Sequence, residues 1–122
     1  MVSPSCPALV IHDDDAFRKS LIATLDQNHF TVTMAADGAD AIDAIASRPF
    51  NVIIVVVDLA NRKGLQALEH LRANRKAIAG GVIIVGEPSP ELRSFAAVAD
   101  ETLLKPVDPR YVAGRARAYC GH

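Results

Sequence analysis

Apolar runs alternate with amphipathic segments from one end of the chain to the other. The runs at 8–11 and 51–57 have no polar face, which is typical of strands buried on both sides of a sheet. Shorter β-prone segments at 30–34, 82–85 and 102–104 predict three more strands. The sequence therefore predicts five strands, with the run at 51–57 in the middle of the sheet.

The segments that separate these strands have the spacing of amphipathic helices. The first helix is predicted over 16–28, and the last extends to about Tyr119. Ser89 and Asp108 each precede a proline, a pattern typical of a helix N-cap followed by a proline in the first turn. The apolar residues predicted to form the inner faces of the helices are Phe17, Leu21 and Leu25, then Ile42, Ile45 and Ala46, then Leu65, Leu68 and Leu71, and finally Leu92 and Phe95.

Short strands that alternate with helices predict βαβ units, and hence a parallel sheet covered by helices on both faces. The expected fold class is α/β, a (βα)5 three-layer sandwich. With 122 residues and no linker or internal repeat, the chain has the size of one domain. We assign this domain to residues 8–119, with 1–7 as an N-terminal tail and 120–122 as the C-terminal end.

The composition is that of a globular protein, because 50% of the residues are hydrophobic and 22% are charged. Lys and Arg total 13 against 14 Asp and Glu, and this net charge of −1 does not indicate binding to nucleic acid or to an anionic membrane. The longest apolar run is far shorter than the roughly 20 residues that span a bilayer. We therefore expect a cytoplasmic protein with no direct nucleic-acid or membrane partner.

The two cysteines, Cys6 and Cys120, lie near opposite ends of the chain. Neither belongs to a CxxC motif or to a cluster of metal-ligating residues. We interpret them as free thiols in a reducing cytosol.

Polar residues follow the predicted strands at the edge where parallel strands end. An acidic segment at 12–15 follows strand one, Asp58 follows strand three, and Lys105 follows strand five. Open α/β sheets bind their ligands at this edge. Carboxylates near a lysine suit a hard cation and a phosphoryl group, whereas dinucleotide and P-loop sites need glycine patterns that the sequence lacks.

Three segments, at 9–18, 35–42 and 104–109, resemble in order the receiver domain of two-component response regulators. The resemblance implies a flavodoxin-like fold with strand order 2-1-3-4-5 and a cis peptide before Pro106. It also implies a role in phosphorelay signal transduction, with a histidine kinase or an effector domain as partner.

The resemblance also implies a set of functional positions. In this family a phosphoryl group is transferred to an aspartate that ends strand three, beside a Mg²⁺ held by that aspartate and by one residue of an acidic pair after strand one. A Ser or Thr ends strand four, a Lys ends strand five, and an aromatic residue often precedes that Lys. Ungapped alignment places His12 and Asp13 at the acidic pair, Val56 at the phosphoacceptor, Ala60 at a loop proline, Gly86 at the Ser/Thr, Thr102 at the aromatic residue and Lys105 at the Lys.

Two interpretations of the phosphoacceptor remain open. If Val56 occupies the position, the domain is an atypical receiver that acts by protein–protein contact, without enzymatic activity or a cofactor. Asp13 and Asp14 then form a weak Mg²⁺ site or none. If strand three is two residues longer, Asp58 is the acceptor and Mg²⁺ is required. Residue 58 would lie roughly 6.6 Å beyond residue 56 on the same face, several times a Mg²⁺–oxygen bond of about 2.1 Å.

A third interpretation is a flavodoxin-like small-molecule binder. It is disfavoured because the carboxylates after strand one would repel a phosphate group. Two isolated histidines, His29 and His70, are expected to be solvated or half-buried, and Glu87 either faces the pocket or is a loop carboxylate.

The predicted last helix is basic and offers a candidate contact surface. Arg110, Arg115 and Arg117, together with Lys105, form either a solvated face or a docking face for an acidic partner. The family resemblance implies a homodimer, or contact with an output domain, through helix 4, strand 5 and helix 5.

Overall fold

Five parallel strands form one sheet in the computed structural model, which describes residues 6–11, 15–36, 38–57, 63–78 and 80–120. The strands are β1 (Cys6–Ile11), β2 (Phe30–Ala35), β3 (Val52–Val57), β4 (Gly81–Gly86) and β5 (Glu101–Leu104). They are hydrogen-bonded in the order β2-β1-β3-β4-β5, so the predicted α/β fold and its strand order are confirmed.

Helices connect the strands and follow the last one. They are α1 (Asp15–Gln27), α2 (Gly38–Ser47), α3 (Lys63–Ala73), α4 (Pro90–Ser94) and α5 (Pro109–Ala116), with short 3-10 helices at Arg75–Ala77 and Arg117–Tyr119. Both predicted N-caps are confirmed, because Ser89 Oγ accepts from Leu92 N at 3.0 Å and Asp108 Oδ1 accepts from Arg110 N at 2.8 Å. Within the described ranges, no helix has the length and apolar character needed to cross a membrane.

The sheet lies between two helical layers, and β3 supplies apolar side chains to both. Ile53, Val55 and Val57 belong to the core that contains the buried residues of α2, α3 and α4. Val52, Ile54 and Val56 belong to the core that contains the buried residues of α1 and α5. Successive side chains of a strand point to opposite faces, which is why β3 must be apolar at every position.

The inner face of α2 differs from the prediction. Ala41 is fully buried, and Ala44 and Ile45 pack against the core, whereas Ala46 is exposed and Ile42 is only half-buried. Residues three and four positions apart share a helix face, so Ala41, Ala44 and Ile45 form one stripe. The prediction of Ile42 and Ala46 as inner residues was wrong because α2 also packs against α3, which turns this smaller stripe inward.

The expectation that Cys6 and Cys120 are free thiols is also wrong. The structure joins them in a disulfide, with their Cα atoms 5.5 Å apart. The strand β1 begins at Cys6, two residues before the predicted start, and the 3-10 helix after α5 brings Cys120 back to the same end of the sheet. The pairing is a tertiary effect, because the two residues are separated by 114 positions in the sequence.

Candidate functional site

Three strand ends meet at the carboxyl edge of the sheet, where the sequence predicts the site. In the ladder Gly86 lies opposite Val57 of β3 and Leu104 of β5. Lys105 follows β5, and its backbone N donates to the carbonyl O of Gly86 at 2.8 Å. The structure thus brings Val56, Gly86 and Lys105, three of the described candidate positions, to adjacent strand ends.

The phosphoacceptor position of the ungapped alignment is closed and apolar. Val56 is 0% exposed and lies opposite Val85 within the apolar core shared with α1 and α5. A valine side chain offers no atom that accepts a phosphoryl group or ligates a cation. Its burial instead contributes about 1.5–3 kcal/mol to stability.

The next position, Gly86, also lacks a functional group, and its surroundings leave little room for one. An added Cβ atom would lie 3.2 Å from the Val57 carbonyl O and 3.3 Å from Leu92 Cδ1. Such contacts are tight for a well-packed interior, so β3 or α4 would have to move by a few tenths of an ångström. A Ser or Thr at this position therefore requires a local rearrangement.

The side chain of Lys105 reaches toward α1. Its Nζ atom lies 5.1 Å from the centroid of the Phe17 ring, a cation–π contact. Phe17 is half-buried and packs against the core, so this contact holds the lysine along the carboxyl edge. The peptide between Lys105 and Pro106 is cis, as the resemblance implied.

The predicted acidic part of the site lies outside the described residues. His12, Asp13, Asp14, Asp58 and Ala60 all fall in these parts of the chain. Their roles, including the Mg²⁺ site at Asp13 and Asp14 and the acceptor role of Asp58, stay predictions. Within the described ranges, no three His, Cys, Asp or Glu residues are grouped so that they could hold a metal ion.

The remaining sequence candidates are exposed. Glu87 and His70 are both solvent-exposed, and the carbonyl O of His70 accepts from the backbone and side chain of Asn74. His29 has a φ of 66°, the left-handed conformation that often ends a helix. Its carbonyl O accepts from Cys6 N at 3.0 Å, which assigns His29 a structural role after α1.

Two of the basic residues of α5 are already ion-paired. Arg110 contacts Asp108 at 2.9 Å and Arg115 contacts Glu101 at 2.6 Å. Hydrogen bonds from Arg110 lower the pKa of the Asp108 carboxyl. A partner that docks on α5 would therefore meet a surface of paired positive and negative charges and not a purely basic one.

An ion pair at the amino edge of the sheet, where the strands begin, was missed by sequence reasoning. Asp100 Oδ2 accepts from Val82 N at 2.8 Å and from Arg75 Nη2 at 3.1 Å. Arg75 also donates to the carbonyl O atoms of Val98, at 3.0 Å, and Ile78, at 3.2 Å. No sequence motif predicts this pair, because its partners come together only through the order of β4 and β5.

A second group at the amino edge holds the end of the chain. Tyr119 OH donates to Glu101 Oε2 at 2.6 Å, and Asn51 Nδ2 donates to the Tyr119 carbonyl O at 3.1 Å. The Tyr119 ring covers Gly81, where an added Cβ atom would overlap the ring. We call these contacts, together with the disulfide from Cys6, the C-terminal clamp.

The pKa values of two clamp residues are shifted in opposite directions. Burial and the hydrogen bond to the Glu101 carboxylate raise the pKa of Tyr119 to about 12. Burial acts to raise the pKa of Glu101, but the hydrogen bonds from Tyr119 and Arg115 outweigh it and leave the pKa below its usual value. The hydrogen bond therefore favours a protonated phenol beside an ionised carboxylate.

An apolar surface lies beside the carboxyl edge on α4, β5 and α5. Leu104 is 52% exposed and Tyr111 is 56% exposed. A cavity of about 370 Å³ between α4 and β5 is lined by Leu104, Leu92, Ala96 and neighbouring residues. Large apolar side chains with this exposure mark a candidate contact surface.

The chain is similar in sequence to a transcriptional regulatory protein. The Transcriptional regulatory protein SrrA of Staphylococcus aureus is 26% identical over 110 residues, covering 90% of this chain and 46% of that protein. The chain thus spans about half the length of the curated relatives it matches.

Solved structures show the same fold. The chemotaxis protein CheY4 of Vibrio cholerae has a TM-score of 0.76 at 24% identity, covering 94% of this chain and 98% of that one. A CheY-like receiver domain protein of Methanospirillum hungatei has a TM-score of 0.77 at 26% identity, covering 93% of this chain and 92% of that one. The family model for the response regulator receiver domain matches residues 8–117. The chain therefore belongs to the response regulator receiver domain family of two-component signalling.

Proposed function

We propose that this receiver domain signals by protein–protein contact and does not accept a phosphoryl group on β3. The observation that carries the proposal is the complete burial of Val56 among apolar side chains of β4, α1 and α5. The ladder continues past Val56 to the Val57–Gly86 pair, so residue 56 lies within the sheet. No group at this position can be phosphorylated.

The neighbouring positions support the same proposal. Gly86 contributes no hydroxyl, and its Cβ position is crowded. Lys105, whose ammonium group in the family faces the phosphoryl group, contacts the Phe17 ring. Val56 and Gly86 are thus two family positions at which the described residues do not fit phosphoryl transfer, whereas Lys105 retains the lysine of the family.

The described residues also do not fit a Mg²⁺ ion. Mg²⁺ needs oxygen ligands in a nearly octahedral arrangement, and neither Val56 nor Gly86 has a side-chain oxygen. The predicted oxygen ligands Asp13, Asp14 and Asp58 lie outside the described residues. A working receiver that uses Asp58 and Mg²⁺ is the alternative that the first experiment addresses.

The partners fit the surface formed by α4, β5 and α5. We propose that a second copy of this chain binds to this surface. We expect the domain also to contact a histidine kinase or an effector domain. Leu104 and Tyr111 supply exposed apolar area. The charged pair Arg110 and Asp108 lies beside them, and opposite charges on one face suit a two-fold interface in which the same patch meets itself.

The phosphoacceptor is tested by incubating the purified chain with a small phosphodonor and Mg²⁺ and measuring its intact mass. We expect no added phosphoryl group in the wild type or in Asp58→Asn. We also expect Mg²⁺ to leave the thermal midpoint nearly unchanged, because it should not bind. A ligand that did bind, at a hundredfold excess over its Kd, would stabilise the fold by about 2.7 kcal/mol and raise the midpoint. One added phosphoryl group that disappears in Asp58→Asn would overturn the proposal.

The contact surface is tested on the same samples by sedimentation. We expect a concentration-dependent dimer that forms without the phosphodonor and is lost in Leu104→Ser, with circular dichroism unchanged. The matched control is Met34→Ser, since Met34 is 53% exposed on β2, at the other edge of the sheet. A monomer at all concentrations, or equal weakening by both substitutions, would exclude this surface.

A further inference from the structure

The disulfide lies at the end of the sheet opposite to the candidate site. Cys6 is the first residue of β1, and Cys120 directly follows the 3-10 helix Arg117–Tyr119. Lys105 and Gly86 lie at the carboxyl edge, beyond the full length of the strands. A chemical change at the disulfide therefore acts first on the C-terminal segment and not on the candidate site.

The two sulfur atoms differ in their access to solvent. Cys6 is buried, at 6% exposure, whereas Cys120 is half-buried at the surface of the domain. An attacking thiolate therefore reaches Cys120 Sγ more easily than Cys6 Sγ. Access is one of the factors that determine which sulfur of a disulfide is attacked.

The other contacts of the clamp are all noncovalent. Tyr119 is held by its hydrogen bonds to Glu101 and Asn51 and by the packing of its ring on Gly81. Cys6 belongs to the same apolar core as Val112, Ala113 and Ala116, which hold α5 against the sheet independently of the disulfide, whereas Tyr119 and Cys120 only pack against the margin of this core. Opening of the bond thus leaves a folded domain whose last segment is held only by weak contacts.

We propose that Cys6 and Cys120 form a reversible redox site at which a dithiol reductant controls the docking of residues 117–120. One thiolate of the reductant attacks Cys120 Sγ, the Sγ–Sγ bond breaks, and Cys6 leaves as a thiolate. The second thiol of the reductant then displaces Cys120 from the mixed disulfide. The reductant ends as a disulfide, and the pair has gained two electrons and two protons.

The site has two states with a defined structural difference. In the oxidised state the clamp fixes residues 117–120 against β1, β4, β5 and Asn51, the residue before β3. In the reduced state the segment opens locally while the sheet stays intact, because local openings follow the weakest set of contacts. The redox state thus controls the surface that the end of α5 presents.

The test compares tryptic cleavage after Arg117 in the oxidised and dithiothreitol-reduced wild type, with digests stopped, fully reduced and weighed. We expect cleavage after Arg117 to become about tenfold faster on reduction. Cleavage after Arg72, an exposed residue of α3, serves as the internal control and should keep its rate. Reoxidation with oxidised glutathione should restore the slow rate.

Matched variants assign the effect to the bond. Cys120→Ser should be cleaved quickly after Arg117 with or without reductant, and Cys6→Ser serves the same purpose if that variant does not fold. An oxidised wild type that stays unreduced in its folded form, or equal rates in both states, would overturn the proposal. A simultaneous rise at Arg72 and Arg117 would show a bond that holds the whole fold together, which also overturns it.

Discussion

The two edges of the sheet use polar side chains in different ways. At the carboxyl edge Val56 and Gly86 have no polar side-chain group, and Lys105 contacts an aromatic ring. At the amino edge Asp100 and Glu101 each accept two hydrogen bonds, from Arg75, Val82, Arg115 and Tyr119. Among the described residues, β3 and β4 thus end at the carboxyl edge in apolar packing, whereas the amino edge is closely hydrogen-bonded.

Burial explains why an apolar residue suits position 56 of β3. A carboxylate at residue 56 would need charged or hydrogen-bonding partners, because a buried unpaired charge is strongly unfavourable. Valine has no such requirement and adds apolar burial near the carboxyl end of β3. Functional sites often lower stability, and the replacement of such a residue by one that suits the core raises it.

The largest expected effect comes from placing a charge at the carboxyl edge. Val56→Asp should lower the free energy of unfolding by about 3–5 kcal/mol at pH 7, because the new carboxylate is buried without a partner. If the ungapped alignment is correct, Mg²⁺ should restore part of this loss by bridging residue 56 and Asp13. Urea unfolding with and without Mg²⁺ measures both effects.

The matched variant Val56→Asn separates charge from polarity. It has nearly the same size as Asp but no charge, so its stability should not respond to Mg²⁺. An absent Mg²⁺ response in Val56→Asp as well would contradict the alignment and favour Asp58 as the acceptor.

An intermediate effect is expected from crowding the amino edge. Gly81→Ala should lower the free energy of unfolding by about 1–3 kcal/mol, because its Cβ displaces the Tyr119 ring from its place. The control is Gly114→Ala on the exposed face of α5, where no atom lies within 4 Å of the added Cβ. That variant should gain about 0.5–1 kcal/mol from helix propensity. Equal effects of both substitutions on thermal unfolding would contradict the packing described at Gly81.

The smallest effect concerns the hydrogen bond from Tyr119 to Glu101. Tyr119→Phe should cost about 1.5 kcal/mol, because the bond is made to a charged acceptor. The pKa of Glu101 is lowered from 4.5, so its contribution is present above that value and is lost as the pH falls through the folded-state value. The pKa of Tyr119 is raised, so its contribution is present below 10.0 and is lost as the pH rises toward about 12.

The stability difference between wild type and Tyr119→Phe should therefore be greatest between about pH 5 and pH 10. Urea unfolding across this range measures it, with Glu101→Gln as the control in which the acidic half of the dependence is absent. A difference that stays constant from pH 3 to pH 12 would contradict the assignment of these groups.

The fold was largely predictable because local patterns and the tertiary structure agree. The apolar run of β3, the caps at Ser89 and Asp108 and the alternation of elements all have causes within a few residues of sequence. The error at Ile42 and Ala46 arose because α2 has apolar residues on two adjacent stripes, one with Ile42 and Ala46 and the other with Ala41 and Ala44. Packing against α3, which periodicity does not reveal, selects between them.

The site was predictable only where a strand end fixes the position of a residue. Val56, Gly86 and Lys105 lie at the predicted edge because the ladder sets their register. The contact of Lys105 with Phe17, the pair of Arg75 with Asp100 and the disulfide all join residues that are distant in the sequence. Such pairs depend on helix packing and on the direction of side chains, and neither has a signature in one sequence.

The Cys6–Cys120 bond also determines how the domain responds to tension. A force applied through the chain on either side of the bond is carried by a covalent link between two Cα atoms 5.5 Å apart. The sheet and the helices lie inside the closed loop and bear almost none of the load. In the oxidised form the distance between the two points at which force enters the domain can hardly increase, and it is shorter than about two extended residues. In the reduced form the same force is transmitted through the strands, and the domain extends by unfolding.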